Sequence, residues 1–276
     1  MRAIATGGST ELPGALIDRL PALEIVACYG VGYEAIDAAA LARRGIVVTH
    51  TPGVLDDEVA NTAIALLLAV TRRIVAHDRY VREGRWLREG NAPLTHGLAG
   101  RTIAIAGLGR IGLAIAGKLA VFGCRVVYHS RRPRADVALA YYADLTAMAR
   151  DADVLIAVLP GGDGTRNLIG RAVLDALGPQ GTFINVGRGT VVDEAQLVAA
   201  LAEGRLGAAG LDVFADEPHV PAELIGMDNV VLLPHVGSAT VETREAMGRL
   251  LIDNLLSWYK DRKALTPVPE CRHMQE

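Results

Sequence analysis

Three short stretches of the sequence carry side chains suited to reducing a carbonyl group. Arg188 lies between two glycines in NVGRGT, Glu217 lies in FADEP, and His235 lies in LLPHVG. An imidazolium can donate a proton to a carbonyl oxygen, a carboxylate can orient that ring and favour its charged form, and an arginine can offset developing negative charge. Each residue alone also has a plainer interpretation: a surface arginine at a helix cap, a solvated loop acid and a buried, hydrogen-bonded histidine. We predict that the three act as a set, although spacing alone does not establish that they meet.

The elements that would position these residues are strands. From residue 101 onward, six strand candidates alternate with helical patterns: TIAIAG, CRVVYH, DVLIAVLP, TFINVG, AAGLDVF and VVLLPH. Shorter runs alternate in the same way over the first third of the chain, before one long predicted helix from Asp56 to Tyr80 or beyond. This pattern predicts an α/β protein with two doubly wound parallel-sheet domains. The three candidate residues then follow strand ends, at the edge where such sheets bind ligands.

The stretch 83–100 interrupts the alternation with four glycines and a proline. It predicts a crossing between domains. We expect one domain over residues 1–92 and a second domain over residues 93–237. Trp86, within the crossing, contacts a second subunit or covers local apolar surface, and the sequence leaves both interpretations open.

Composition restricts the partners. The net charge is −3, which disfavours nucleic acid, and the longest apolar run, residues 63–70, is far shorter than the roughly 20 residues of a membrane span. No secretory leader is visible at the N-terminus. Three scattered cysteines lack metal or redox spacing and indicate reduced thiols. We therefore expect a cytoplasmic protein with no nucleic-acid partner, no membrane partner and no metal.

A glycine motif indicates a dinucleotide. Gly107-Leu108-Gly109-Arg110-Ile111-Gly112 follows an apolar strand candidate and opens a helical pattern. Glycines allow a tight turn and a close approach of backbone amides to a pyrophosphate, which the helix N-terminus then favours. The alternative is a glycine-rich turn with no ligand.

The tip of the next predicted strand indicates which dinucleotide binds. An acidic residue there would hold the ribose hydroxyls of NAD(H), but the sequence has Ser130, Arg131 and Arg132. Arginine binds a 2′-phosphate through charge-assisted hydrogen bonds. We therefore predict NADP(H). The alternative is that both arginines are solvated and NAD(H) binds without an acid.

Six motifs in order carry a resemblance to a known family. They are GVGYEAID (30–37), TPGVLDDEVA (51–60), LAGRTIAIAGLGRIG (98–112), NVGRGTVVDEAQLVAAL (185–201), GLDVFADEP (210–218) and LLPHVGSAT (232–240). Together they resemble the D-isomer-specific 2-hydroxyacid dehydrogenases, and most of all the NADP-dependent glyoxylate/hydroxypyruvate reductase branch. The resemblance implies catalytic roles for Arg188, Glu217 and His235. It also implies that the backbone amides of the loop at Gly30, Val31 and Gly32 bind the substrate carboxylate, with Arg188 and His235 as further substrate contacts.

The same resemblance implies further cofactor contacts. Asp212 matches an aspartate that contacts the nicotinamide carboxamide, the alternative being a strand-end cap, and Thr165 is expected near the cofactor. The other expected contacts are Leu159, Pro160, Val186, Gly187, Arg188, His235 and Gly237.

The resemblance also implies an architecture. A Rossmann cofactor domain, residues 93–237, is inserted in a smaller, flavodoxin-like substrate domain, residues 1–92, to which the C-terminal helix and tail, residues 238–276, return. The resemblance further implies a homodimer joined through the cofactor domains.

The chain departs from the family at its N-terminus. Family members usually have another strand and helix before the run that begins here, so about one βα unit, roughly 30–45 residues, is not matched. We expect an unpaired sheet edge and a weakened N-terminal domain, or a start site placed too late. The cofactor domain should be unaffected, because its motifs are all present.

The resulting hypothesis is an oxidoreductase that reduces glyoxylate or hydroxypyruvate to the D-2-hydroxy acid with NADPH. Alternatives within enzymes are reductases of larger 2-oxo acids, such as 2-ketogluconate or hydroxyphenylpyruvate, and phosphite-type oxidation. A different class is a non-catalytic, NAD(P)-sensing protein like the corepressors that share this fold. The sequence contains no basic or interaction tail that would favour a corepressor.

Overall fold

A computed structural model describes residues 1–8 and 10–275. Its strands are β1 Ala3–Gly7, β2 Ile25–Tyr29, β3 Val47–Thr49, β4 Thr102–Ala106, β5 Arg125–His129, β6 Ala140–Tyr142, β7 Val154–Ala157, β8 Thr182–Asn185, β9 Ala208–Leu211 and β10 Val230–Leu232. Its α-helices are α1 Gly14–Asp18, α2 Ala38–Arg43, α3 Asp56–Thr71, α4 Ile74–Arg82, α5 Arg85–Glu89, α6 Arg110–Leu119, α7 Leu145–Arg150, α8 Arg171–Leu177, α9 Glu194–Ala202, α10 Ala222–Ile225 and α11 Val241–Asp261. Short 3-10 helices cover Ala120–Phe122, Gly189–Val191 and Pro269–Gln275.

The chain divides into two compact units. The first unit is Met1–Asp56 with Ser238–Glu276, and the second unit is Asp57–Gly237. Residues 57–92, which we expected in the substrate domain, pack within the second unit. Their assignment to a substrate domain stays a prediction.

The second unit contains a seven-stranded sheet in the order β10-β9-β8-β7-β4-β5-β6, with every neighbouring pair parallel. The chain runs outward from β4 to β6, then returns to β7 on the other side of β4. Such a reversal of direction is where open α/β sheets form a ligand-binding crevice. The strands β4, β7 and β8 are buried along nearly their whole length, and β4 and β7 are largely apolar, because helices cover both faces of a parallel sheet.

The first unit contains a three-stranded parallel sheet in the order β1-β2-β3. The central strand β2 is almost entirely buried, and Trp258 of α11 belongs to the same apolar core. Tyr29 of β2 also donates its hydroxyl to the carbonyl of Arg244 in α11 at 2.8 Å. No described strand pairs with the outer edge of β1. The α/β class with two parallel sheets is confirmed.

Two local predictions were wrong. The long helix predicted from Asp56 is two helices, because Arg73 adopts a left-handed φ of 48° between α3 and α4. The edge strand β6 was missed, so the second sheet has seven strands and not six. The predicted crossing also contains the short helix α5. Neither Gly nor Pro marks the break at Arg73, so the apolar pattern alone runs through it.

Within the described residues, no single helix combines the length and the apolar composition needed to cross a membrane. Only α3 and α4 taken together satisfy both criteria, and they are bent by 58° at their junction.

Candidate active site

The expected cofactor residues of the second unit all follow strand ends at one edge of its sheet. Because the seven strands are parallel, the segments after β5, β4, β7, β8, β9 and β10 emerge from the same side, in that spatial order. These segments contain Ser130–Arg132, Gly107–Gly112, Leu159–Thr165, Val186–Arg188, Asp212, and His235 with Gly237.

The glycine-rich loop has the shape that a pyrophosphate requires. Gly107 has φ +101°, and a Cβ there would lie 2.7 Å from the carbonyl oxygen of Val158. A Cβ on Gly112 would lie 2.2 Å from the carbonyl oxygen of Gly107. At Gly109, by contrast, a Cβ would meet nothing within 4 Å, and no side chain caps the N-terminus of α6 that begins there. Open space beside uncapped helix amides suits an anionic ligand, so these residues fit a dinucleotide.

A close backbone approach at Gly187 links the segment after β8 to the segment after β7. A Cβ on Gly187 would lie 2.6 Å from the carbonyl oxygen of Leu159. The chain ends of β4, β7 and β8 are therefore in backbone contact. Beyond them, Thr165 Oγ1 lies 2.7 Å from the carbonyl oxygen of Pro160. The Thr165 hydroxyl therefore bonds within its own loop.

The arginines after β5 are exposed. Ser130 donates its hydroxyl to the carbonyl of Arg132 at 2.6 Å, which closes a tight loop. The side chains of Arg131 and Arg132 have no hydrogen-bond or ion-pair partner within residues 1–8 and 10–275. Two cationic side chains are thus available at the strand tip where the ribose of a dinucleotide would lie.

His235 and Glu217 are in direct contact through their side chains. His235 Nδ1 lies 2.7 Å from Glu217 Oε2, and the other oxygen, Oε1, accepts from the backbone N–H of Phe214 at 3.0 Å. Burial raises the pKa of Glu217, but the hydrogen bonds from His235 and Phe214 outweigh it, so that pKa lies below its usual value. Glu217 is therefore an ionised acceptor, and Nδ1 of His235 carries the hydrogen. This leaves Nε2 for proton transfer.

Arg188 belongs to the same cluster. Its positive charge is one of the influences that lower the pKa of Glu217. Its segment is fixed by Asn185, a buried residue whose side chain donates to the Arg188 carbonyl at 3.0 Å and accepts from the Gly187 N–H at 3.0 Å. A Cβ on Gly189 would lie 1.9 Å from the carbonyl of Phe214. Only glycine lets the Arg188 segment lie against the segment that leads to Glu217.

Asp212 binds the loop that contains His235. Its carboxylate accepts from the N–H of Val236 at 2.7 Å and of Gly237 at 2.9 Å. Burial raises the pKa of Asp212, and these two backbone hydrogen bonds partly counter that effect. This is the strand-end role that we gave as the alternative. A contact with the nicotinamide carboxamide stays a prediction.

The predicted carboxylate loop lies in the first unit, after β2. Gly30 is bonded to Thr51 twice: its N–H donates to Thr51 Oγ1 at 3.0 Å, and its carbonyl accepts from the Thr51 N–H at 2.8 Å. His50 Nδ1 lies 3.1 Å from the carbonyl oxygen of Val31. The N–H groups of Val31 and Gly32 have no hydrogen-bond partner among the described residues.

Sequence reasoning missed three supporting residues: His50, Thr51 and Asn185. A buried asparagine at the end of an apolar strand was the one available signal, since such a side chain must find partners. The roles of His50 and Thr51 depend on the pairing of β2 with β3. Among the described residues, no group of three or more His, Cys, Asp or Glu could hold a metal ion.

Comparisons with known proteins agree with this geometry. The family model for the D-isomer specific 2-hydroxyacid dehydrogenase, NAD binding domain, matches residues 64–237. The chain is 48% identical over 268 residues to a glyoxylate/hydroxypyruvate reductase of Arabidopsis thaliana, covering 97% of this chain and 85% of the relative. It is 47% identical over 268 residues to a hydroxyphenylpyruvate reductase of Plectranthus scutellarioides, with coverage of 97% and 85%.

A solved structure is equally similar. The crystal structure of an NADPH-dependent glyoxylate/hydroxypyruvate reductase from Sinorhizobium meliloti, in complex with NADP and malonate, matches with a TM-score of 0.94 and 51% identity. The match covers 98% of this chain and 85% of that chain. The sequence-based recognition is thereby confirmed, and the chain belongs to the D-isomer-specific 2-hydroxyacid dehydrogenase family, on its glyoxylate/hydroxypyruvate reductase branch.

Proposed function

We propose that this dehydrogenase reduces a small 2-oxo acid, glyoxylate or hydroxypyruvate, to the D-2-hydroxy acid with NADPH. The observation that carries the proposal is the 2.7 Å contact between His235 Nδ1 and Glu217 Oε2. It lies at the same sheet edge as the glycine-rich loop. An oriented proton donor beside a nicotinamide site is what carbonyl reduction requires.

The reaction adds a hydride and a proton across one carbonyl group. A nicotinamide dinucleotide held by the Gly107–Gly112 loop would supply the hydride that the carbonyl carbon accepts. His235, protonated at Nε2, gives its proton to the carbonyl oxygen and regains one from solvent. Ionised Glu217 holds the ring through Nδ1 and stabilises its positive charge. Arg188 offsets the negative charge that develops on the oxygen. In the first unit, the N–H groups of Val31 and Gly32, which have no partner among the described residues, are the donors that we propose for the substrate carboxylate.

The cofactor preference rests on the strand tip after β5. Arg131 and Arg132 are exposed, and the strand tip at residues 130–132 contains no acidic residue. The tip therefore favours a 2′-phosphate and offers an NAD(H) ribose no carboxylate. We therefore propose that the enzyme uses NADPH as its reductant. The test replaces Arg131 and Arg132 together with alanine and measures both cofactors. NADPH affinity should fall at least about 10- to 100-fold, the loss expected if only one charge-assisted hydrogen bond of about 1.5–3 kcal/mol is removed, and NADH affinity should change little.

Substrate size has a second candidate. The relative from Plectranthus scutellarioides, at 47% identity, is named for a much larger 2-oxo acid, hydroxyphenylpyruvate. Measuring kcat/KM with glyoxylate, hydroxypyruvate, 2-ketogluconate and hydroxyphenylpyruvate shows whether the enzyme prefers a small or a larger 2-oxo acid. A larger kcat/KM for hydroxyphenylpyruvate would replace the small-substrate proposal.

The decisive experiment follows the loss of nicotinamide absorbance with purified protein, NADPH and NADH run in parallel. Fast oxidation of NADPH by glyoxylate or hydroxypyruvate is the expected result. No turnover with any 2-oxo acid, together with tight dinucleotide binding, would support the nucleotide-sensing alternative.

We also propose that the protein is a homodimer in the cytoplasm. Trp86 is 59% exposed, and the nearby Leu87 and Leu94 are 94% and 99% exposed. Most of the Trp86 surface is therefore uncovered within the chain, which favours the subunit contact of our two interpretations. Light scattering after gel filtration measures the mass. Leu87→Glu should shift a dimer toward the monomer, whereas a monomeric wild-type protein would refute the assembly.

A further inference from the structure

A third arginine after β5, Arg134, differs from the exposed pair at 131 and 132. Its Nη1 donates to the carbonyl oxygen of Leu108, inside the glycine-rich loop, at 2.8 Å. Its Nε donates to Asp136 Oδ1 at 3.0 Å, and its Nη2 donates to Asp136 Oδ2. The guanidinium is thus engaged on both sides, by a loop carbonyl and by a carboxylate that balances its charge.

The segment that carries Arg134 is anchored to the buried sheet. The Arg134 N–H donates to the hydroxyl oxygen of Tyr128 at 2.8 Å, and Tyr128 is only 1% exposed. Tyr141, whose ring lies 5.4 Å from that of Tyr128, donates its hydroxyl to the Ser130 carbonyl at 3.2 Å. Arg134 therefore reaches the glycine-rich loop from a fixed base.

The bond to Leu108 fixes one particular peptide plane. The Leu108 carbonyl and the Gly109 N–H belong to the same trans peptide, so they point in opposite directions. The Gly109 N–H has no hydrogen-bond partner in the described part of the chain. A Cβ on Gly109 would also meet nothing within 4 Å. Holding the carbonyl toward Arg134 consequently holds an unpaired N–H toward the open side of the loop, where the pyrophosphate would bind.

We infer that Arg134 is a positioning residue that ties the loop after β5 to the glycine-rich loop and so presets the pyrophosphate-binding amide of Gly109. Glycine at this position is otherwise free to rotate, and an ordered amide avoids the entropy lost when a ligand must order it. Arg134 therefore acts on every nicotinamide dinucleotide alike, whereas Arg131 and Arg132 act only on the 2′-phosphate. The inference rests on the dinucleotide site of the proposed function and not on its substrate.

The test measures dissociation constants of NADPH and NADH by calorimetry, with no 2-oxo acid present. Arg134→Ala should weaken both cofactors about tenfold, as expected for losing a hydrogen bond from a charged donor. The ratio of the two constants should stay at its wild-type value. The double alanine variant of Arg131 and Arg132 should instead change that ratio. Arg82→Ala, which removes a more exposed arginine–aspartate ion pair, with Asp78, in the same unit, is the control and should change neither constant.

Each other outcome is decisive. Unchanged affinity for both cofactors in Arg134→Ala would overturn the inference, and so would a loss confined to NADPH, which would make Arg134 a phosphate ligand. A wild-type protein that binds neither dinucleotide would overturn it as well.

If Arg134→Ala does not fold, Asp136→Asn serves instead, since it removes the charge that holds Arg134 in place and should weaken the binding of both cofactors in the same proportion. Failure of 2-oxo acid turnover would refute only the proposed reaction, because binding is measured without it.

Discussion

The carbonyl of Asp212 accepts a hydrogen bond from the backbone N–H of His235 at 2.8 Å. The Asp212 carboxylate binds the next two amides, so three consecutive N–H groups converge on one residue that is 1% exposed. His235 itself has φ 53°, a left-handed conformation that is unfavourable for a residue with a side chain. Holding such a conformation requires about 1–3 kcal/mol from its surroundings, and Asp212 is the group placed to provide it.

Asp212→Asn should therefore lower both stability and turnover. Asparagine keeps one acceptor and turns an N–H donor toward the amide of Val236 or Gly237. We expect a loss of about 1–3 kcal/mol in the free energy of unfolding, as for an unsatisfied buried group, measured by urea denaturation. The kcat should fall at the same time, because His235 is no longer held. Asp216→Asn, on an exposed acid in the same region, is the control. Equal values for Asp212→Asn and wild type would contradict the positioning role.

Removing the proposed proton donor should affect turnover and not cofactor binding. His235→Ala should lower kcat by roughly 100- to 10,000-fold, the usual contribution of general acid catalysis, while NADPH binding persists. Steady-state kinetics and a separate binding titration distinguish these effects. His219→Ala removes an exposed histidine from the neighbouring loop and should leave both measurements unchanged. An active His235→Ala enzyme would mean that another group donates the proton.

The pairing of Glu217 with His235 should be visible in the pH dependence of stability. The folded-state pKa of Glu217 lies below its ordinary value of 4.5. The unfolded chain therefore takes up protons first as the pH falls. The pair stabilises the fold fully above pH 4.5 and loses this effect as the pH falls through the lowered pKa.

Glu217→Gln isolates that contribution. Because the Glu217 side chain is about one-third exposed, solvent screening limits the difference from wild type to about 0.5–1 kcal/mol. Urea denaturation at a series of pH values measures it. The difference should be constant near neutral pH and shrink in acid. A difference that grew in acid would reverse the assigned sign.

Replacing His50 should weaken substrate binding and leave the chemical step nearly unchanged. Its ring bonds the Val31 carbonyl, and burial lowers the His50 pKa although that bond raises it, which favours the neutral ring with hydrogen on Nδ1. His50→Leu removes this donor and should raise the KM for glyoxylate about tenfold, with little change in kcat. His50→Asn keeps an N–H donor near the position of Nδ1 and should restore the wild-type KM. Equal KM values in the Leu and Asn variants would show that the donor is irrelevant.

The sequence predicted those features that depend on local pattern. The Gly107–Gly112 motif, the tip at Ser130–Arg132 and the strand ends before Arg188 and His235 were located, because apolar runs and glycines mark them directly. The fold class followed from the alternation of those runs.

Features that depend on three-dimensional order could not be located in this way. The contact between Glu217 and His235 requires the segments after β9 and β10 to come together, and periodicity says nothing about which strands are neighbours. The link from Arg134 to Leu108 spans two loops that are 26 residues apart. The three-residue strand β6 and the break at Arg73 have no distinct composition, so neither could be distinguished from the neighbouring sequence.

The glycines of the site differ in what they would tolerate, and this matters for anyone who redesigns the enzyme. At Gly107, Gly187 and Gly189 a single methyl group would collide with a neighbouring backbone, so a mutagenesis library that varies these codons would consist largely of misfolded protein. At Gly109 the same methyl group would enter empty space. Substitution there should give a well-folded protein that competes sterically with its own cofactor, which makes position 109 the natural choice for a soluble, inactive reference protein.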